Sequence, residues 1–407
     1  MTTEQKAPWN RSVKALLVGV FCSTCGGIVG VAALGFQVFR LTHRELDLGL
    51  LGLAEFTPSA LLVLVTGSVA DRFDRKRVSS LSSVLQAAAG VALAVYAATR
   101  PTSVLPIFAI VLLFGAGRAF LAPSNRALPA DVVPALQLPS LTARRAFTWQ
   151  SAIIVGPVIA GFLYAVDPVA PYIAMSMLLL IGAGSMFFVE TPFEHDRTTT
   201  GRGLREALEG LRFIRSSPVV LGAISLDLFA VLFGGAVALL PAIAEDRLGA
   251  GSVGFGWLRA AGGIGAATVT LLIVWRPITR RVGRNLYAVV AIFGVATIVL
   301  GATRTYLIAF IAMLVLSGAD AVSVFIRSTL VPLATPANKR GRVIAVESVF
   351  IGASNELGAF ESGVVGQFIG ASGAIILGGA ATLAVAGAYL AAFPALRKVD
   401  RFPEPVL

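Results

Sequence analysis

The sequence predicts an all-α membrane protein of twelve transmembrane helices, built as two pseudo-symmetric six-helix bundles with both termini in the cytoplasm. Three observations predict it. The chain of 407 residues is 56% hydrophobic and only 14% charged, whereas a soluble domain carries about a quarter charged residues. Its apolar residues fall into runs of about 20 or more, long enough to cross ~30 Å of hydrocarbon at ~1.5 Å per residue. The basic residues are also sorted by side. With the N-terminus inside, 25 of the 33 Lys and Arg residues fall in inner loops, five fall outside (Arg40, Arg44, Arg100, Arg247, Arg304) and three lie within helices (Arg118, Arg259, Arg327). Such a bias fixes the orientation. The net charge of +11 is therefore topological and excludes nucleic acid as a partner.

The elements follow in order. The first fourteen residues are polar and basic (Lys6, Arg11, Lys14). The run after them, near 15–39, is too long for a signal-peptide core and reads as the first span. Cys22 and Cys25 lie inside it, and a C-x-x-C in a lipid-embedded helix reads as two small packing residues. Further spans are expected near 47–70, 78–98, 103–124, 140–166 and 169–189. A second set is expected near 218–244, 252–275, 285–302, 305–330, 342–368 and 372–393. The division is thus 1–190 for the first bundle, 191–217 for a cytoplasmic linker and 218–407 for the second bundle. In the linker, Leu204, Leu208, Leu211 and Ile214 recur at helical spacing beside Arg205, Arg212 and Arg215. That spacing predicts a short amphipathic helix lying on the membrane surface.

The two halves echo each other weakly. "DRFDRKR" follows the second span and "RPITRRVGR" the eighth, with Arg72 and Arg280 lying 208 positions apart. Repeated halves with a site between them near the midplane are the architecture of alternating-access transporters.

Catalysis and metals find no support. The two histidines, His43 and His195, fall in loops, so no metal cluster or histidine relay is available. No nucleophile stands beside a base, and no G-x-x-x-x-G-K-[ST] loop is present. The expectation is no enzyme, no catalytic residue, no cofactor, no metal and no use of ATP.

The stretch "GSVADRFDRKRV" (Gly67 to Val78) packs six charges into twelve residues. Its pattern G-x-x-x-D-R-x-x-R-[KR], following a second span, resembles the signature loop of the major facilitator superfamily at Gly67, Asp71, Arg72, Arg75 and Lys76. The resemblance implies a cytoplasmic latch in which Gly67 permits close helix approach. In that latch Asp71 faces the positive N-terminal end of the eleventh span, near Arg342. Asp74 stands where the family has glycine. "AIIVGPVIAG" (Ala152 to Gly161) is similar to the superfamily's antiporter signature at Gly156, Pro157 and Gly161, a motif associated with exporters. "GRAFLAPSNRALPADVVP", "RGRVIAVESVFIGASNELGAFESG" and the tail "FPALRKVDRF" resemble the enterobactin-exporter-like branch. In one respect the chain departs from the pattern. Val111 occupies the place where drug–proton antiporters carry an arginine, and Arg118 lies two turns nearer the cytoplasm.

A charge in the bilayer centre costs ~2.5–3.5 kcal/mol on insertion scales. Here such charges are Glu55, Arg118, Asp227, Arg259, Asp320, Arg327, Glu347, Glu356 and Glu361. All avoid spans 3, 6, 9 and 12, which in the superfamily face lipid. Asp320 and Arg327 are seven apart, about 10.5 Å in height and too far for a direct pair. Glu347, one turn from the cytoplasm, is expected to snorkel. Burial favours the protonated form of a carboxyl group and a neighbouring arginine favours the ionised form. A site with both can take and release a proton. Asp227, Asp320 and Glu356 are the proton-coupling candidates, and fixed ion pairs with Arg118, Arg259 or Arg327 are the alternative. Asn355, Glu356 and Glu361, with Gly358 and Gly363, make the eleventh span polar enough to line a cavity or a gate.

These features, with the resemblance, point to a secondary transporter of the bacterial inner membrane, monomeric in the bilayer. It would export a small organic molecule (a siderophore, metabolite or drug) by alternating access, in exchange for protons. The alternatives are a multidrug or lipid-like carrier or importer without proton coupling, and a membrane-embedded sensor. On substrate charge the hints conflict. Six intramembrane acids against three arginines lean toward cationic or neutral cargo, and the branch resemblance toward an anion.

Overall fold

Apolar runs of this length can satisfy their backbone groups in hydrocarbon only as helix. Helix is what they form in the computed structural model, which describes residues 11–193, 204–235 and 237–404 and contains no strand among them. The elements are α1 (Arg11–Thr42), α2 (Glu45–Arg72), α3 (Arg75–Ala98), α4 (Leu105–Val132), α5 (Leu138–Val166) and α6 (Ala170–Ser185). After them come α7 (Leu204–Ser216), α8 (Pro218–Phe233), α9 (Leu240–Ala242), α10 (Gly251–Trp275), α11 (Val282–Ala302), α12 (Tyr306–Leu333), α13 (Ala337–Ala392) and α14 (Pro394–Arg397). Among the described residues nine helices are long and apolar enough to cross a membrane. His195 and Lys6 lie outside the described residues.

The chain forms two compact units. The first comprises residues 1–42, 54–199 and 251–256. In it α1 packs on α5 and α6, and α3 on α4 and α6. Phe36, Phe114, Tyr172, Met175 and Leu179 are fully buried there. Cys22 and Cys25 are unoxidised and buried on α1, as expected of packing residues. The second unit comprises residues 43–53, 200–250 and 257–407. In it α11 packs on α12 and α13, and α8 packs on α13.

Four elements differ from the sequence reading or refine it. α4 runs through Pro123 and Pro129 to Val132 instead of stopping near 124. Its last turn is tethered, because Asp131 holds Arg75 through its carboxylate and Phe193 N–H through its carbonyl. The seventh span, expected as one helix over 218–244, ends at Phe233. Its C-cap is Gly234, and the chain resumes as α9 and a π-turn over Ile243–Arg247. The Gly234-Gly235 pair permits the break, and a Cβ at Gly235 would stand 2.5 Å from Ser362 Oγ of α13.

α7 forms where the spacing predicts it, and the C-terminal end of its apolar face packs on protein while Leu208 stays 56% exposed. Ile214 is 1% exposed in a cluster with Val220 and Val343. Glu209 pairs with Arg342 at 2.7 Å, and Lys339 lies over the Phe213 ring. In α13 the helix is broken at Gly370, with φ 76° and ψ 159°, a conformation essentially restricted to glycine. The break falls where the sequence placed the gap between its eleventh and twelfth spans.

Candidate functional site

One arginine in the second unit gathers three helices. Arg327 lies on the inward stripe of α12 with Ala319, Ser323, Ile326 and Leu330, and is 3% exposed. Its guanidinium is 2.8 Å from the Asp227 carboxylate of α8 and 3.6 Å from that of Glu347 on α13. Both acids are buried. Ser323, one turn back along α12, accepts from Arg327 Nε at 3.5 Å. Asp320, a further turn away, is partly buried. As its spacing requires, no ion pair joins it to Arg327 among the described residues. Glu347 does not snorkel to the cytoplasm; it turns inward, because a buried guanidinium is within reach of its carboxylate.

Here one positive charge faces two carboxylates in contact and a third nearby. Buried charge without a counter-charge is costly. Such a cluster can be relieved by a proton on one acid, or by a rearrangement that gives an acid a different partner.

The other intramembrane charges are separate from this cluster. In the first unit Arg118 of α4 donates to Glu55 of α2, which is 8% exposed. On α13, Glu356 lies against Gly52, with its Oε2 3.2 Å from where a Cβ there would sit. Glu361 accepts from Ser362 Oγ at 3.5 Å, and Asn355 Nδ2 donates back to the Ile351 carbonyl. Arg259 is partly buried on α10. Of the three proton-coupling candidates, the structure therefore pairs Asp227 with Arg327, keeps Asp320 seven residues from that arginine along α12, and leaves Glu356 about 13 Å further along α13 than Glu347.

The signature loop is a helix junction. Asp74 caps α3, accepting from Lys76 N–H at 3.0 Å, and lies 3.4 Å from Arg77. A capping carboxylate explains the departure from glycine. Arg75 donates to both oxygens of Asp131, at 2.9 and 3.0 Å, and Lys76 donates to the Val189 carbonyl. Arg72 is exposed at the end of α2, and the Asp71 side chain lies outside the described residues. Among the described residues nothing lies within 4 Å of a Cβ placed at Gly67. On α5 the glycines do permit close approach. A Cβ at Gly156 would meet Ile28 at 2.8 Å, and one at Gly161 would meet the Ser252 carbonyl at 2.5 Å. Next to that glycine the Pro157 carbonyl faces Gly256.

Sequence reasoning missed three acids. Asp131 lies beyond residue 124, where the fourth span was expected to end. Glu209 falls within the linker 191–217, where the helical spacing singles out only apolar residues and arginines. Glu45 accepts from Ala371 N–H at 3.2 Å, which gives α13 an acidic partner where the helix restarts after Gly370.

The apolar helices and the ion pairs buried among them define a multi-pass helical membrane protein. Residues 16–359 match the profile of the Major Facilitator Superfamily, and the chain belongs to that family of transporters. Macrolide efflux protein A of Streptococcus pyogenes is 25% identical over 250 residues, which cover 58% of this chain and 60% of that protein. The match thus spans less than two thirds of that relative. Enterobactin exporter EntS of Escherichia coli O1:K1 / APEC is 26% identical over 333 residues, covering 78% of this chain and 76% of that one. The crystal structure of a bacterial homologue of the human lysosomal transporter Spinster superposes with a TM-score of 0.70 over 96% of this chain and 97% of that chain. At 13% identity, that likeness concerns the fold alone.

Proposed function

We propose that this protein is a secondary exporter of the bacterial cytoplasmic membrane, moving a small organic molecule outward by alternating access in exchange for protons. In this reading twelve spans cross the membrane as two bundles, 1–190 and 218–407, joined by the linker 191–217. Both termini are cytoplasmic and the unit of function is a monomer. The cluster of Asp227, Arg327 and Glu347, with Asp320 beside it, carries the proton. Gly67, Asp71, Arg72, Arg75 and Lys76 serve the cytoplasmic latch, and Gly156, Pro157 and Gly161 serve helix packing during the cycle. Glu356, Glu361 and Asn355 line the path, and the Glu55–Arg118 pair is structural.

The single observation that carries the reading is the sharing of one buried arginine by two buried carboxylates. A permanent ion pair needs one acid, and the second gives the site capacity for a proton. The efflux relatives support the outward direction.

The test uses proteoliposomes of the purified protein with an internal pH dye and a panel of siderophores, cationic drugs and neutral metabolites. Wild type is compared with Asp227→Asn, Asp320→Asn, Glu347→Gln and Glu356→Gln. The expected outcome is that one cargo drives proton flux and that Asp227→Asn or Glu347→Gln abolishes the flux while cargo still binds. Cargo movement without proton flux would remove proton coupling, and flux lost only in Glu356→Gln would move the proton site from the Arg327 cluster to Glu356.

A further inference from the structure

Among the described residues of the first unit, the acids near arginines are committed. Glu55 holds Arg118, Asp131 holds Arg75, and Asp74 lies beside Arg77. On adjacent helices, the exposed Arg126 and the half-buried Arg145 hold no acid among those residues. Arg126 is six residues before the end of α4 and Arg145 seven residues after the start of α5. Both are thus about 9–10 Å inside the turn that joins the helices.

Arg145 is on the packed face of α5. At helical spacing that face also carries Leu141, Ala152, Gly156 and Ala160, all buried. The Arg145 Nε–H is buried and has no hydrogen-bond partner. The charge that acts on Arg145 is Arg126, which is also positive. Among the described residues neither guanidinium forms an ion pair or a hydrogen bond. Nearly all buried polar groups in proteins are paired, and a second positive charge nearby makes the bare guanidinium costlier still. A buried orphan N–H beside a second arginine is complementary to an anion, which both forks can grip through charge-assisted bonds. Trp149, one turn further along the face of Arg145 and 49% exposed, offers a flat apolar surface next to them.

We propose that Arg126 and Arg145 hold the anionic group of the transported molecule, an organic acid whose aromatic or apolar part rests on Trp149. This inference rests on the transporter reading and names its substrate class. It resolves the conflict over cargo charge. Two of the six intramembrane acids already share Arg327 and a third holds Arg118, so an excess of acids does not mark the cargo as a cation. The position of Arg145 on the inward stripe favours a soluble anion over a lipid headgroup.

The experiment is calorimetric titration of the purified full chain in uncharged detergent with salicylate and with its neutral amide, salicylamide. Wild type is compared with R145Q, R126Q and R145K, and thermal unfolding confirms that each variant is folded. Salicylate is expected to bind saturably and more tightly than salicylamide. Each glutamine substitution should weaken salicylate roughly tenfold or more, R145K should weaken it less, and salicylamide should bind all four proteins alike.

Equal affinity for the two probes overturns the proposal. So does an unchanged salicylate affinity in R145Q, or no saturable salicylate binding to wild type. Displacement of salicylate by added phosphatidylglycerol assigns the pair to lipid and overturns it as well. Cargo flux in proteoliposomes by a protein whose salicylate affinity ignores Arg145 removes this site alone. Arg145-dependent binding with no flux of any cargo removes the transport reading instead.

Discussion

Replacing Arg327 with glutamine tests whether the charge cluster is held by that residue. At an effective dielectric of about 20, unit charges 2.8 and 3.6 Å apart attract by about 6 and 5 kcal/mol. Desolvation of the guanidinium takes back most of that attraction. The larger consequence of R327Q is that Asp227 and Glu347, 5% and 7% exposed, are left buried without a counter-charge. Removing one partner of a buried pair costs about 3–5 kcal/mol. Neutralising the acids together with the arginine should return most of this, because no bare charge then remains.

The assay is unfolding in mixed micelles titrated with sodium dodecyl sulfate, comparing wild type, R327Q, D227N/E347Q and D227N/R327Q/E347Q. R327Q should lose about 3–5 kcal/mol, and the triple variant should recover enough to give a coupling of about 1–3 kcal/mol. The reasoning is refuted if R327Q lies within about 1 kcal/mol of wild type, the range of an ordinary substitution. It is equally refuted if the triple variant is less stable than R327Q.

Other substitutions separate packing from charge. Gly161→Val should cost about 1–3 kcal/mol by overpacking, since its Cβ would stand 2.5 Å from the Ser252 carbonyl. Gly67→Ala, with nothing within 4 Å, should instead gain about 0.5–1 kcal/mol from better helix propensity; thermal unfolding reads both. Glu209→Gln breaks a pair whose side chains are 42% and 34% exposed. It should therefore change global stability by about 0–1 kcal/mol while speeding hydrogen exchange in α7 and sparing α11. Gly370→Ala puts a side chain into a backbone conformation reserved for glycine and should cost about 1–3 kcal/mol, read by the same unfolding titration.

Most of the fold is legible because membrane spans obey a coarse rule: about 20 apolar residues, with positive charge on one side. α3, α5, α10 and α11 begin and end within a few residues of the reading. The failures are local. Pro123 and Pro129 look like a helix end, yet a proline inside a packed helix is tolerated when neighbours re-satisfy the backbone, and Asp131 is held in place by Arg75. Gly234-Gly235 looks like one more small pair in an apolar run. Only the close approach of α13 explains why the helix stops there. The spacing of α7 marks one apolar face but cannot say what covers each residue: Ile214 packs with Val343 of α13, while Leu208 is 56% exposed.

The site was legible as a set of charges and illegible as a set of pairs. Composition and span limits single out Asp227, Asp320, Arg327 and Glu347 without a structure, since each is expensive in hydrocarbon. Spacing along one helix even rules out an Asp320–Arg327 bridge. Pairing across helices is a different matter, because Arg327 meets Asp227 from 100 positions earlier and Glu347 from 20 positions later. Counting acids against arginines treats every charge as available to cargo. Once partners are assigned, the balance changes sign by place. In the second unit Asp227 and Glu347 share one arginine, with Asp320 two turns back along α12, while in the first the charge that acts on Arg145 is Arg126. The proposed exchange of protons for an organic acid needs such a division, an acid excess for the proton and a basic excess for the anion.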